Sequence, residues 1–290
     1  MIDLHTHSVC SDGSSSPEQV CELAARAGCS ALSLTDHDTL EGIPAATAAA
    51  ARLGITLVPG CEVSFRMSPV QSAHALAYFL SSDAPLAMEL ARLRKSRVAR
   101  NVEMVAVLQG LGMDISYDEL IDEAGNEESA GRPHVASVMV RKGYAGNIEE
   151  AFGVWLGAGR PAYVPRELLG AGRLVELSRL SGSAIVLAHP LRTGLRDREL
   201  GSLVEQLAGE GFDGIEAYYS TYSPEERAWL VDLADAHSMV ATGGSDFHGT
   251  YKPGIMVGTG TGDLHVPDSV LEQLVKRCQS YGGVALPTCQ

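Results

Sequence analysis

The chain has 290 residues, 45% of them hydrophobic, enough to bury a large core as one α/β barrel or as two average domains. Its net charge of −14 excludes general adhesion to nucleic acid or to anionic membrane. An anionic small-molecule substrate stays open, because two or three divalent cations in one pocket would dominate the local field.

Strand and helix alternate through the first third. Residues 2–4 form a short apolar strand that leads into His5-Thr6-His7, with Asp12 following in Ser11-Asp12-Gly13. Ser16 caps a helix with Pro17 in its first turn and Gln19 three residues on, and Gly28 stops it. The strand at 31–34 delivers Thr35-Asp36-His37, and an alanine-rich helix over 41–53 ends at Gly54. A strand at 55–58 delivers Glu62, and another at 73–80 carries His74 near its beginning.

Helical signals dominate the middle. One long amphipathic helix is predicted over 84–111, closed by Gly112, with shorter ones at 118–123 and 134–142. This reads as a helical insertion over residues 83–179 between two halves of one barrel domain, 1–82 and 180–290. Alternation then returns. The near-continuous apolar run at 184–188 delivers His189-Pro190, as a strand buried on both faces would. A helix at 198–209, a strand at 214–218 and a helix at 224–237 follow, and the strand at 239–242 delivers Asp246 and His248 before a last helix at 266–278.

Strands that repeatedly hand a polar residue to the following loop define a barrel with its site at the C-terminal face of the strands. Six or seven such strands are counted, one short of the standard eight, so the predicted fold is α/β, a distorted (β/α)7 barrel with an inserted helical subdomain. An open doubly wound sheet is the runner-up, but there ligands gather at one switch point. The chain has no run of eighteen apolar residues and no apolar leader, and its cysteines (Cys10, Cys21, Cys29, Cys61, Cys278, Cys289) show no C-x-x-C spacing. A cytoplasmic protein with reduced thiols and no membrane partner is expected.

Ten candidate metal ligands result: His5, His7, Asp12, His37, Glu62, His74, His134, His189, Asp246 and His248. Imidazole with carboxylate suits Zn²⁺, Mn²⁺ or Fe²⁺, and the number exceeds what one ion can use. A lone histidine is usually structural, but residues two apart on an extended strand face one side, as His5 with His7 and Asp246 with His248 would. Closing a barrel brings its first and last strands together. Glu216 and Tyr218, at a strand end, have an ordinary core role as one reading, with Tyr218 facing a substrate base as the other.

The motifs Asp3-Leu4-His5-Thr6-His7…Ser11-Asp12-Gly13, Thr35-Asp36-His37-Asp38, Gly60-Cys61-Glu62-Val63, Ala188-His189-Pro190 and Gly244-Ser245-Asp246-Phe247-His248 resemble the PHP (polymerase and histidinol phosphatase) family. More narrowly they are similar to its stand-alone phosphoesterases, which act on nucleoside 3′,5′-bisphosphates or short 5′-phosphorylated RNA. The resemblance implies two to three divalent ions. His5, His7, Glu62 and Asp246 would take one, Asp12, His37 and His248 a second, and His74 and His189 a third that shares Glu62. In some relatives a histidine stands where Asp12 is.

A bridging hydroxide made available by such ions would attack phosphorus in line. Asp246 would orient it and His189 would protonate the leaving oxygen. Arg132 and His134, in Gly131-Arg132-Pro133-His134, together with Arg192, are the expected phosphate contacts, while the basic run from Arg92 to Arg100 is mostly a solvated face. The expected partner is a small phosphorylated substrate or short RNA, not duplex DNA. Cyclic sugar phosphates and histidinol phosphate are alternatives within phosphoester chemistry. A C–N hydrolase of the amidohydrolase type is the competing class, weakened because no lysine ends a predicted strand to bridge two metals and Glu62 takes that place. A non-catalytic metal-stabilised module is disfavoured by the completeness of the ligand set.

Overall fold

A computed structural model describes residues 1–70, 72–125, 127 and 130–282. Packing divides the chain into two compact units, Met1–Leu90 with Leu169–Gln290, and Ala91–Leu168.

The first unit is built on seven strands in one path. β1 (Ile2–Thr6), α1 (Pro17–Arg26), β2 (Ala31–Leu34), α2 (Ile43–Leu53), β3 (Thr56–Arg66) and β4 (Ala73–Tyr78) come in order. α1 begins as its sequence dictates: the Ser16 side chain accepts from Gln19 N–H while the Gln19 side chain accepts from Ser16 N–H. From β4 the chain enters α3 (Pro85–Gly110), followed in the second unit by α4 (Tyr117–Ala124), α5 (Arg132–Arg141) and α6 (Ile148–Ala151), with a π-turn at Phe152–Leu156. It returns through β5 (Leu169–Gly170), α7 (Ala171–Leu180), β6 (Ala184–Leu187), α8 (Asp197–Glu210), β7 (Gly214–Tyr219), α9 (Pro224–Ala236), β8 (Val240–Gly244) and α10 (Ser269–Ser280).

The strand order is β1-β2-β3-β4-β6-β7-β8, and the two-residue β5 pairs with the end of β3. β4 is antiparallel to both β3 and β6, and the other pairings are parallel. This one reversal is the distortion of the barrel. Only residues 67–72 separate β3 from β4, too few for a crossover helix, so the two must pair as a hairpin. β8 meets β1 through the residues that follow each strand: Thr6 bridges Phe247, His7 N–H donates to Phe247 O (2.9 Å) and Asp246 N–H donates to His5 O (2.8 Å).

Ile2, Leu4, Val58, Leu76, Val186 and Val240 form one buried cluster with Leu274 of α10. Tyr78 is fully buried and donates its hydroxyl to Leu4 O (3.0 Å), filling volume between β4 and β1 without leaving a polar atom unpaired. A second cluster packs Val20, Cys21, Ala46 and Ala50 of α1 and α2 on Leu32 and Leu34. The second unit has its own core around Met104, Leu108, Leu120, Val135, Met139 and Leu156.

β3 runs further than its sequence suggests. Pro59-Gly60 reads as a break, yet the strand continues to Arg66, so Glu62 lies within it and not in a following loop. Gly60 is required by close approach: a Cβ there would stand 2.6 Å from Ser33 Oγ and 3.0 Å from Thr35 Cγ2. Cys10, Cys21, Cys29, Cys61 and Cys278 are free thiols, and Cys289 lies outside the described residues. Among the described residues no helix is long and apolar enough to cross a membrane.

Candidate metal centre

Every barrel residue expected as a ligand arrives at one rim. Parallel strands deliver theirs at or after their C-terminal ends: His5 and His7 from β1, His37 after β2, His189 after β6, and Asp246 and His248 after β8. His74 sits at the start of its strand instead. Because β4 runs the other way, its beginning lies at the rim where its neighbours end. The odd position of His74 in the sequence and the reversed strand are thus the same fact.

Four atoms converge most tightly. His5 Nε2 lies 3.1 Å from His7 Nε2, 3.2 Å from Glu62 Oε2 and 3.4 Å from Asp246 Oδ1. His7 Nε2 lies 3.1 Å from Glu62 Oε2 and 3.3 Å from Asp246 Oδ1. Ligands about 2.1 Å from a tetrahedral ion stand about 3.4 Å apart, so five edges of this tetrahedron have the spacing a divalent cation imposes. All four side chains are buried.

Asp12, His37 and His248 gather beside this group. Asp12 Oδ2 is 3.5 Å from His37 Nε2, and Asp12 Oδ1 is 3.4 Å from His248 Nε2 and 3.5 Å from His7 Nδ1. The other oxygen of Glu62, Oε1, meets His74 Nδ1 and His189 Nε2, each at 2.8 Å. Glu62 therefore stands between the three groups, since His37 Nε2 also approaches its Oε2 at 3.4 Å. His134, the tenth candidate, lies on α5 in the second unit.

The electrostatics fit a cation site. Burial alone would raise the Glu62 and Asp246 carboxyls, but the surrounding histidines hold both well below the carboxylate range. Burial likewise opposes charge on His7, yet Asp246 and Glu62 lift its pKa to about 10. Burial wins at His37, pushing it down to about 4. At neutral pH the carboxylates of Glu62 and Asp246 are ionised and concentrated in a buried pocket, a field that divalent cations would satisfy.

Supporting residues hold these ligands in place, and sequence reasoning found few of them. Glu216 is fully buried. Its Oε1 lies 2.9 Å from His5 Nδ1, and its Oε2 accepts from the His189 backbone N–H at 2.7 Å. Its structural role is therefore at the site and not in the general core. Asp36 accepts from Ser8 N–H, Ser8 Oγ and Ser11 Oγ, which fixes the loop carrying Asp12. Tyr219, not Tyr218, faces the centre and donates to Asp246 Oδ2 at 2.6 Å. A register shift between Glu216 and Tyr218 inverts the alternation of β7, so Tyr218 instead lines a surface groove with Pro224, Arg227 and Val231.

Lys252 Nζ reaches the same Asp246 oxygen at 2.5 Å. Exposed Arg192 donates to the Tyr219 hydroxyl at 3.1 Å and stands 3.6 Å from Asp246. Nothing in the local sequence marks Lys252, which follows a three-residue 3₁₀ turn after His248. Two of the converging residues hold unusual backbone: His189 at φ 29° and Asp246 at φ 55°, conformations that side chains other than glycine rarely adopt. Arg132 opens α5 in the second unit, where its guanidinium lies over the Tyr163 ring, 5.6 Å from the centroid.

Comparison with known proteins bears on the same residues. A family model described as the PHP domain matches residues 3–145. The chain is 32% identical over 258 residues to a 3′,5′-nucleoside bisphosphate phosphatase of Chromobacterium violaceum, covering 89% of this chain and 90% of that protein. It is 31% identical over 247 residues to a 5′-3′ exoribonuclease of Haemophilus influenzae, covering 85% and 89% respectively. A crystal structure from Bifidobacterium adolescentis described as a metal-dependent phosphoesterase superposes with a TM-score of 0.78 at 29% identity, over 98% of this chain and 97% of that one.

Proposed function

We propose that this chain, which belongs to the PHP family of metal-dependent phosphoesterases, removes phosphate from a small nucleotide, with nucleoside 3′,5′-bisphosphates or the 5′ ends of short RNA as substrates. The observation that carries the reading is the spacing of His5, His7, Glu62 and Asp246 in a buried pocket, where the two histidine Nε2 atoms lie 3.1–3.4 Å from each other and from the Glu62 and Asp246 oxygens. Under it, these four hold one ion, Asp12, His37 and His248 a second, and Glu62, His74 and His189 a third. Mn²⁺, Zn²⁺ and Fe²⁺ suit that mixture of imidazole and carboxylate. The ions would supply activation of water at neutral pH and neutralise phosphoryl charge.

The chain's own residues do the positioning. Asp246 presents one oxygen to His5 and His7, while Tyr219 and Lys252 fix the other. A carboxylate held this way can orient a nucleophilic water and receive its proton. His189, held to Glu62 and with its backbone tied to Glu216, can protonate the leaving oxygen in a protein that holds no third ion on it. Arg192 at the rim, and Arg132 and His134 in the insertion read at 83–179, serve as phosphate contacts.

The experiment is phosphate release by Mn²⁺-supplemented, metal-analysed protein. Adenosine 3′,5′-bisphosphate, a 5′-phosphorylated RNA dinucleotide, a cyclic phosphate and histidinol phosphate are compared by kcat/KM, with Asp246→Asn and a chelator as controls. Preference for the bisphosphate or the RNA end, abolished by both controls, is expected. No release from any of them by protein carrying two or more metals would overturn the nucleotide reading.

A further inference from the structure

One arginine of α9 holds the end of β7. Arg227, in the first turn of the helix, donates from Nε to Tyr219 O and from Nη2 to Ser220 O, each at 3.2 Å. Its other edge faces Asp263: Nη1 meets Oδ2 at 3.0 Å and Nη2 meets Oδ1 at 3.2 Å, while Nη1 also donates to Asp263 O at 3.2 Å. The Arg227 side chain is only 11% exposed. Thr261 adds a bond from its hydroxyl to Ser220 O at 2.9 Å. A planar guanidinium can span two successive carbonyls with one edge and a carboxylate with the next, which a lysine ammonium cannot.

The two residues clamped in this way are the two that act on Asp246. Tyr219 donates its hydroxyl to Asp246 Oδ2 at 2.6 Å, and buried Ser220 donates its hydroxyl to Ser245 O, also at 2.6 Å. The peptide joining Ser245 to Asp246 is thereby fixed on both sides, because Asp246 N–H donates to His5 O at 2.8 Å. The setting of that peptide against the Asp246 Cα is its φ, and the value of 55° is one that surroundings must enforce. Ser220 thus holds the backbone of Asp246 while Tyr219 holds its carboxylate. An arginine that merely joined helix to strand would not need to grip this pair of carbonyls.

We propose that Arg227, oriented by Asp263, is a positioning residue for Asp246, acting through Tyr219 and Ser220. Its effect on turnover rests on the phosphoesterase reading, whereas its effect on metal binding requires only that Asp246 is a ligand.

The test is a double-mutant cycle of Arg227→Met and Tyr219→Phe in the full chain, at a temperature where all four proteins are folded. Chelator-stripped protein is titrated with Mn²⁺ by calorimetry, and reloaded protein is assayed with adenosine 3′,5′-bisphosphate. Arg227→Met is expected to weaken Mn²⁺ binding by about tenfold. It should also lower kcat by about tenfold with KM within about twofold, because Asp246 serves the reacting atoms and not substrate affinity. The double variant should fall short of the product of the two single losses by about threefold or more, since both act on one carboxylate. A merely structural staple would lower the melting temperature and leave these readouts in place. Mn²⁺ affinity and kcat within about twofold of wild type, or single losses that multiply in full, would overturn the proposal. If Arg227→Met does not fold, Asp263→Asn at a half-exposed carboxylate carries the same cycle, with losses of about fivefold expected and the same results overturning it. Absence of turnover by the wild type would sink the proposed function, and the Mn²⁺ titration would still decide the role of Arg227.

Discussion

Replacing Glu216 by Gln tests whether the metal centre depends on a carboxylate that holds no ion itself. Both oxygens of Glu216 are engaged and the residue is fully buried: Oε1 meets His5 Nδ1 at 2.9 Å and Oε2 accepts the His189 N–H at 2.7 Å. Glutamine keeps the shape but turns one acceptor into a donor. If its NH₂ group faces His5, the imidazole must accept there, which puts the proton on Nε2, the atom aimed at His7, Glu62 and Asp246. If the NH₂ faces His189, two N–H groups point at each other in a dry site, at a penalty of about 1–3 kcal/mol. Either way, metal affinity should fall by about 10–100-fold, the range seen when the partner of a ligating histidine is removed. Titration of chelator-stripped protein with Mn²⁺ or Zn²⁺, read by calorimetry and checked by metal analysis, measures this directly. Affinity within twofold of wild type, with an unchanged melting temperature, would refute the assignment of Glu216 as the residue that sets the His5 tautomer.

Tyr219→Phe removes the 2.6 Å hydrogen bond to Asp246 Oδ2 but leaves Lys252 on the same oxygen. A bond to a charged acceptor is worth about 1.5–3 kcal/mol, so with Lys252 compensating, kcat/KM should fall by about tenfold; a loss smaller than twofold would show that Tyr219 does not position Asp246. Gly244→Ala would put a Cβ 2.4 Å from His5 N and 2.5 Å from His5 Cβ, where backbone must move. Urea denaturation should show a loss of about 1–3 kcal/mol or more, accompanied by weaker metal binding. The pH dependence of metal affinity follows from His7. Burial opposes its charge, but Asp246 and Glu62 raise its pKa to about 10, so the metal-free chain holds it protonated at pH 7 and an ion must displace that proton. Affinity should therefore rise with pH, by about tenfold per unit for each displaced proton between pH 7 and 9; a flat profile would contradict it.

What the sequence made legible was governed by local pattern. Ser16-Pro17 with Gln19 announces α1, and apolar runs followed by His37, His189 or Asp246 announce strands that end at a site. What stayed hidden depends on partners far away along the chain. The identity of Tyr219 over Tyr218 turns on one register shift in β7, which alternation alone cannot reveal. Lys252 acts through a 3₁₀ turn, and Glu216 through a contact 211 residues distant. The continuation of β3 through Pro59-Gly60 was masked by two residues that usually end strands. It is possible because the Pro59 carbonyl still accepts from Leu80 N–H and because Gly60 lets β2 approach closely.

The seam that closes the barrel and the proposed metal centre use the same residues. β1 and β8 are joined by His7 N–H on Phe247 O and Asp246 N–H on His5 O, so the backbones of three proposed ligands make the closing hydrogen bonds while their side chains meet at one point. Buried Asp3 reinforces the seam, accepting from Ser245 N–H and Gly258 N–H. Opening this edge would pull His5 and His7 away from Asp246, and an ion gripping all three resists that opening. Binding to the closed state and not to the unfolded chain stabilises by mass action, so metal should strengthen this seam before any other part of the sheet. The left-handed backbone of Asp246 belongs to the same economy: a conformation that is unfavourable in isolation is held by Tyr219, Lys252 and the β1 hydrogen bond, and it aims a carboxylate back across the seam it closes.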